Sequence, residues 1–217
     1  MDNYDVVHAI SFDYGQRHKA ELMSAVAIAT YLGVASHEVV KIPGLLKGTS
    51  PLVSDAELET YTDYTSMDKI IGDRTELTFV PLRNPLFLLI AANHALALGC
   101  RTVMTGICAN DGANYHDCTG EFRHAMEDML TEALGVRFTV SAPLISLTKA
   151  EIVRLAMSYG QKGVEVMALT HTCYAGQRPP CGKCHACVLR AEGFRQAGVA
   201  DPLLAMPTLP VQMELPL

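Results

Sequence analysis

No stretch of the chain approaches the ~18 to 20 uncharged apolar residues that a membrane-spanning helix needs. The N-terminus, MDNYDVV, has neither a basic segment nor an apolar core, so it does not read as a secretion signal. A cytoplasmic protein with no membrane partner is expected. Internal repeats and low-complexity tracts are absent as well, which excludes solenoids and compositionally disordered segments. Charged residues make up only 18% and sum to a formal −6, a balance that argues against nucleic acid as a partner. Aromatic clusters on which unpaired bases could stack are lacking too. What the chain does have is a hydrophobic share of 49% over 217 residues, enough for one well-filled core and a small appendage.

Seven cysteines fit a reducing compartment. Four of them, Cys173, Cys181, Cys184 and Cys187, are set as C-x7-C-x-x-C-x-x-C within HTCYAGQRPPCGKCHACVLR. Four thiolates can close a tetrahedron around zinc and leave no open position, which makes the site a structural staple. Gly176, Pro179, Pro180 and Gly182 cannot sustain a helix or a central strand, so a metal is what would order this loop. Two rivals remain: free or disulfide-paired cysteines, and an iron–sulfur cluster, which closely spaced cysteines also ligate. Arg178, Lys183, Arg190 and Arg195 make the region locally basic, either to offset the thiolates or, on a third view, to meet a nucleic acid. Cys100, Cys108 and Cys118 are left as reduced thiols.

Periodicity orders the rest. Val6 to Ser11 reads as a strand, Lys19 to Leu32 as a helix stopped by Gly33, and His37 to Ile42 as a second strand. Pro43 to Thr75, rich in Gly, Ser, Thr and Asp, reads as an irregular surface excursion. A short extended piece, Leu77 to Val80, leads into RNPLFLLIAANHALALG, whose all-round apolarity marks a buried helix. Then come a strand, Arg101 to Ile107, a polar loop, a helix from Glu121 to Leu134, a strand from Val136 to Val140, and an amphipathic helix from Thr148 to Ser158. The tail from Pro202 to Leu217, with four prolines, is expected to be extended or laid on the surface. Such alternation predicts an α/β fold with a parallel sheet, the first and third strands central, and ligands beyond the carboxyl ends of the strands.

The polar clusters fall at that edge. Asp13 and Tyr14 follow the first strand, where a carboxylate and a phenol can fix a heterocycle, or where Asp13 simply opens an Asx-turn. Arg83 suits a phosphate or carboxylate beside a helix N-terminus, whereas Asn84 has its simplest role as that helix's N-cap. Lys149, in the first turn of its helix, opposes the macrodipole and so is not there for helix stability. Asp111, Tyr115 and Asp117 could line a substrate pocket, with a plain Asn110-Asp111-Gly112 turn as the alternative. Cys108 and Cys118 are read as small buried side chains.

In order along the chain, SFDYGQRHKAEL, TFVPLRN, TGICANDGANYHDC, PLISLTKAEI and TCYAGQRPPCGKCHACVLRAEGF resemble the blocks of the 7-cyano-7-deazaguanine synthases, the QueC family. The resemblance implies an adenine nucleotide alpha hydrolase-like core of PP-loop type over residues 1–160 and a zinc-binding lobe over 161–217. It implies a ligase that activates the carboxylate of 7-carboxy-7-deazaguanine with ATP and magnesium, adds ammonia and dehydrates the amide to a nitrile. It further implies zinc on the four cysteines, Lys149 as a pyrophosphate contact, and a homodimer. The chain departs from the family at Leu82, where a glycine is usual, and at His116 and Thr119, which replace a proline and an arginine. If the family's glycine serves a positive φ, the loop around Leu82 is expected to be built differently. The family's Ser-Gly-Gly-x-Asp-Ser phosphate loop, with its strand and helix a unit of ~30 residues, has no counterpart in these residues. The first strand is therefore expected to have a vacant or irregular neighbour. ATP would need that unit from elsewhere, or the chain would serve as a non-catalytic zinc-binding subunit.

Overall fold

The computed structural model describes residues 4–112 and 115–205. Strand β1 (His8–Asp13) leads into helix α1 (Ala20–Leu32) and then strand β2 (Ser36–Lys41), which pairs with β1 in parallel, His8 opposite Ser36. Helix α2 (Tyr64–Ile71) and helix α3 (Arg83–Ala97) follow, then strand β3 (Thr102–Met104), the short helix α4 (Ala109–Gly112) and a 3-10 turn at His116–Cys118. Helix α5 (Gly120–Leu134) and strand β4 (Thr139–Ser141) complete a second parallel pair, β3 with β4. Helices α6 (Lys149–Ser158), α7 (Gln161–Leu169), α8 (His185–Ala197) and α9 (Pro202–Ala205) close the chain.

Helix α3 joins two cores. Leu88 and Ala92 pack with Val103, Met126, Leu130, Phe138 and Val140, while Leu86, Phe87 and Ile90 pack against Phe12, Tyr14, Ile42 and Val80. A helix with apolar residues on both sides of its axis has to be covered on both. Among the described residues β1 is bonded only to β2 and β3 only to β4, so the expected continuous sheet is instead two separate pairs, each strand with one unpaired edge. The vacant neighbour expected beside the first strand is therefore observed. Alternating strands and helices, parallel pairing and a C-terminal cysteine cluster make this a Rossmann-like fold of PP-loop type with a metal-binding lobe.

Several expected boundaries move. The first strand starts two residues late, the third and fourth shrink to three residues each, and the short extended piece expected at Leu77 to Val80 opens with a turn at Leu77 and Thr78. The excursion from Pro43 to Thr75 contains α2, whose Asp63 accepts from the Ser66 N–H while Ser66 Oγ accepts from the Asp63 N–H, a capping box contributing about 1 kcal/mol. Helices α7 and α8 were not expected at all. Residues 202–205 are helical and pack on α7, and the rest of the tail lies outside the described residues.

Asn84 is not the N-cap of α3. That position is Leu82, which adopts φ 61° and ψ 14°, the left-handed conformation a glycine takes without strain. The loop is therefore built as a glycine would build it, against expectation, with a leucine bearing the cost while its side chain is 70% exposed. Left-handed backbone costs a non-glycine residue ~1–2 kcal/mol, and a glycine's extra freedom in the unfolded chain returns part of that. Leu82→Gly should accordingly stabilise the protein by about 0.5–1 kcal/mol in urea unfolding. A loss of stability would mean that the leucine side chain contributes more than its backbone costs.

Candidate functional site

The four cysteine sulfurs lie within 4.8 Å of one another, and the Cys181 and Cys187 Sγ atoms are 3.9 Å apart. Metal–sulfur bonds of ~2.3 Å in a tetrahedron place sulfurs ~3.8 Å apart, so the cluster has the size of a zinc tetrahedron. Backbone amides face the sulfurs as thiolates require: the Cys181 N–H donates to Cys173 Sγ and the Cys184 N–H to Cys181 Sγ, each at 3.4 Å. Hydrogen bonding from Cys187 and from backbone amides draws the Cys184 thiol below the usual thiol range. The loop is fastened on both sides. Thr60 forms an antiparallel bridge with Cys184, and Arg178 reaches Ser24 Oγ and the Ala20 carbonyl at the start of α1. Four thiolates around one ion leave it no vacant position, so its contribution is to hold the chain.

Next to Cys173, Tyr174 turns from the metal loop to a cavity of about 250 Å³, which is also lined by Arg83, Asn84, Asp111, Tyr115 and Cys118 and by the segment 105–107 that follows β3. Arg83 is half-buried and stands 3.4 Å from the Tyr14 hydroxyl; the neighbouring phenols and Asp117 hold its charge. Asn84 is spent on structure, donating to the Asp117 carbonyl and Cys118 Sγ. Asp111 accepts from Lys149 Nζ at 2.9 Å, and burial of the lysine is outweighed by that carboxylate and its hydrogen bonds, so its pKa is raised. The N-cap of α6 is Thr148, in a capping box with Glu151, and the Lys149 N–H is held by Asn110. Gly193 of α8 explains how tightly Lys149 is set: a Cβ there would sit 2.9 Å from the Lys149 Cβ.

Of the residues singled out from sequence, Arg83, Asn84, Asp111 and Tyr115 therefore line one cavity, Tyr14 contacts it through Arg83, Asp117 is buried behind it and Lys149 joins at its rim. Asp13 is not part of it; its Oδ1 accepts from the Gly15 N–H in an Asx-turn and its Oδ2 pairs with Lys19. Cys108 and Cys118 are buried, and burial beside Asp117 pushes the Cys118 thiol up to about 12, far from a nucleophile's range.

A family model described as "Queuosine biosynthesis protein QueC" matches residues 1–198. The chain belongs to the QueC family. Three similar proteins are each described as 7-cyano-7-deazaguanine synthase. That of Gloeobacter violaceus is 47% identical, over 97% of this chain and 90% of its own length. Those of Laribacter hongkongensis and Thermoplasma acidophilum are each 39% identical, over 94% and 91% of this chain and 86% and 80% of their own lengths.

Sequence reasoning overlooked Tyr174 in this QueC chain, although its place beside a metal ligand was a usable signal. Thr105 and Gly106 were also overlooked as cavity walls; they gave no signal beyond following a strand.

Two outcomes are expected here. Cys184→Ser substitutes a hard oxygen in an incomplete tetrahedron, so metal analysis should fall well below one ion per chain and the 161–217 segment should become protease-sensitive. An unchanged digestion pattern would contradict the metal assignment. Separately, burial raises Tyr14 up to about 12. The unfolded chain releases that proton first, so the stability from a neutral Tyr14 is complete below pH ~10 and is lost as pH rises to about 12. Tyr14→Phe should flatten this alkaline decline in stability; parallel curves would refute it.

Proposed function

We propose that this chain acts as a 7-cyano-7-deazaguanine synthase, an ATP-dependent ligase that makes its product from 7-carboxy-7-deazaguanine and ammonia. The observation that carries the reading is the family match, joined to a cavity whose cationic wall is a half-buried arginine. In this reading Arg83 receives the substrate carboxylate or the phosphate attached to it, since a planar guanidinium matches both bidentately. Lys149, at the N-terminus of α6, contacts the departing pyrophosphate. Asp111 sets the position of that lysine, and Tyr14 does the same for Arg83. The aromatic walls formed by Tyr115 and Tyr174 hold the heterocycle and keep water off the activated acid.

The chemistry needs positioning and charge stabilisation more than acid–base machinery, because an acyl adenylate is already reactive and ammonia is a competent nucleophile. Attack by ammonia on the acyl adenylate expels AMP and yields the amide; a second ATP adenylates the amide oxygen with release of pyrophosphate, and loss of AMP and the nitrogen-bound protons gives the nitrile. The metal of the four cysteines is zinc, structural in role, while ATP arrives with magnesium as cosubstrate. The reading also includes a cytoplasmic homodimer, with residues 1–160 as the core and 161–217 as the lobe. Among the described residues no helix is long and apolar enough to cross a membrane.

The test is nitrile formation from 7-carboxy-7-deazaguanine, ATP, magnesium and ammonium, followed by mass. Arg83→Ala should lower turnover by about a hundredfold or more, the usual result of removing a charge-stabilising donor. Turnover by the variant at the unsubstituted rate would remove Arg83 from the mechanism. Iron in place of zinc, visible as a brown protein, would overturn the metal identity.

A further inference from the structure

Helix α3 starts without a capping side chain of its own, because the leucine at its N-cap has no acceptor to offer. Of the N–H groups in its first turn, that of Arg83 donates to the Val80 carbonyl, Pro85 has none, and that of Leu86 already donates within the helix to the Leu82 carbonyl. The N–H of Asn84 remains. It donates at 3.4 Å to Oδ2 of Asp117, a side chain only 7% exposed that comes from the 3-10 turn at His116–Cys118. The contact is returned by the side chain of Asn84, whose Nδ2 donates to the Asp117 carbonyl at 3.2 Å. Together the two bonds clasp the start of α3 to a segment 33 residues further along the chain.

A carboxylate oxygen at a helix N-terminus replaces the missing cap and meets the positive end of the macrodipole. The same dipole disfavours a cation at this end, so Arg83, in the first position of α3, is not held there by the helix itself. Because the cap comes from outside the helix, it fixes where the first turn stands as well as its shape. Arg83 lies between Leu82 and the clasped amide of Asn84, and it lines the cavity together with Tyr115 and Cys118, which flank the capping turn; Asp117 itself is not a lining residue. We propose that Asp117 is a positioning residue that caps α3 from outside and thereby sets the Arg83 guanidinium in the cavity, without touching the substrate. The inference rests on the reading of Arg83 as receiver of the substrate carboxylate or its phosphate. An uncharged acceptor would serve as well, since asparagine caps a helix about as strongly as aspartate. A substrate contact or a counterion for Arg83 would need the charge.

Two variants of the full chain, alone and combined with Arg83→Ala, test this. Asp117→Ala removes the acceptor, and Asp117→Asn keeps an acceptor oxygen without the charge. Asp117→Ala should lower kcat for nitrile formation about tenfold, the effect of one lost charge-assisted hydrogen bond. Asp117→Asn should stay within about twofold of the unsubstituted protein. In the Arg83→Ala background Asp117→Ala should bring no further loss of kcat, although the urea midpoint falls as it does without Arg83→Ala. In ligand-free protein labelled with nitrogen-15, the Arg83 Nε signal should move in Asp117→Ala and hold its place in Asp117→Asn. A comparable loss of kcat with Asp117→Asn would overturn the proposal in favour of a charge that meets the substrate or Arg83, and losses that multiply in the double variant would leave Asp117 a purely structural cap. Where the alanine variant does not fold, the asparagine variant decides alone. A protein that turns over no 7-carboxy-7-deazaguanine would instead sink the proposed function, and the Arg83 Nε signal would still decide whether Asp117 holds the arginine.

Discussion

Four sulfurs crowded within 4.8 Å repel one another as thiolates unless a cation sits among them, and much of the site is anchored to their common point. Cys173 carries Tyr174 to the cavity wall, Cys184 is the N-cap from which α8 starts, and the bridge from Cys184 to Thr60 holds the segment leading into α2. None of these pieces has a large core of its own. The small cluster of Tyr61, Met67, Ile71 and Val188 joins α2 to α8, so even its apolar contacts depend on the metal loop holding α8 in place.

The second organising element is α3. Its apolar sides are shared between two cores, and its N-terminus presents Arg83 to the cavity while Asn84 ties it to Asp117 and Cys118. The left-handed turn at Leu82 is what lets the chain enter the helix with Arg83 facing inward, and the structure keeps that turn with a residue that resists it. Strain held at such a position is affordable only where the surroundings over-determine it, here the packing of α3 on both sides.

Much of this was legible in the residues. The cysteine spacing announced a metal site because ligand geometry constrains sequence spacing directly, and the amphipathic period placed α6 from Thr148 to Ser158, one residue before its observed start at Lys149. Helix α2 was equally readable from Asp63 and Ser66 but was hidden by the polar composition around it. Helix α8 was hidden for the opposite reason, since the cysteines drew the reading toward a loop. The N-cap of α3 was misread because Asn84 is a good cap by type, whereas the turn geometry two residues earlier, at Leu82, is fixed by tertiary packing. The contact between the Thr78 and Tyr115 hydroxyls joins far-separated segments, and nothing in a linear pattern reveals that they meet.

The close approach of Gly193 to Lys149 has a dynamic consequence. With no side chain between them, α8 and the first turn of α6 touch almost backbone to backbone, so neither can shift by an ångström without the other. Local opening of the metal lobe and loosening of the cavity rim should then be one cooperative event, with amides in both regions exchanging at a common rate. A lobe that looks like an appendage in the sequence would thus set the lifetime of the closed site.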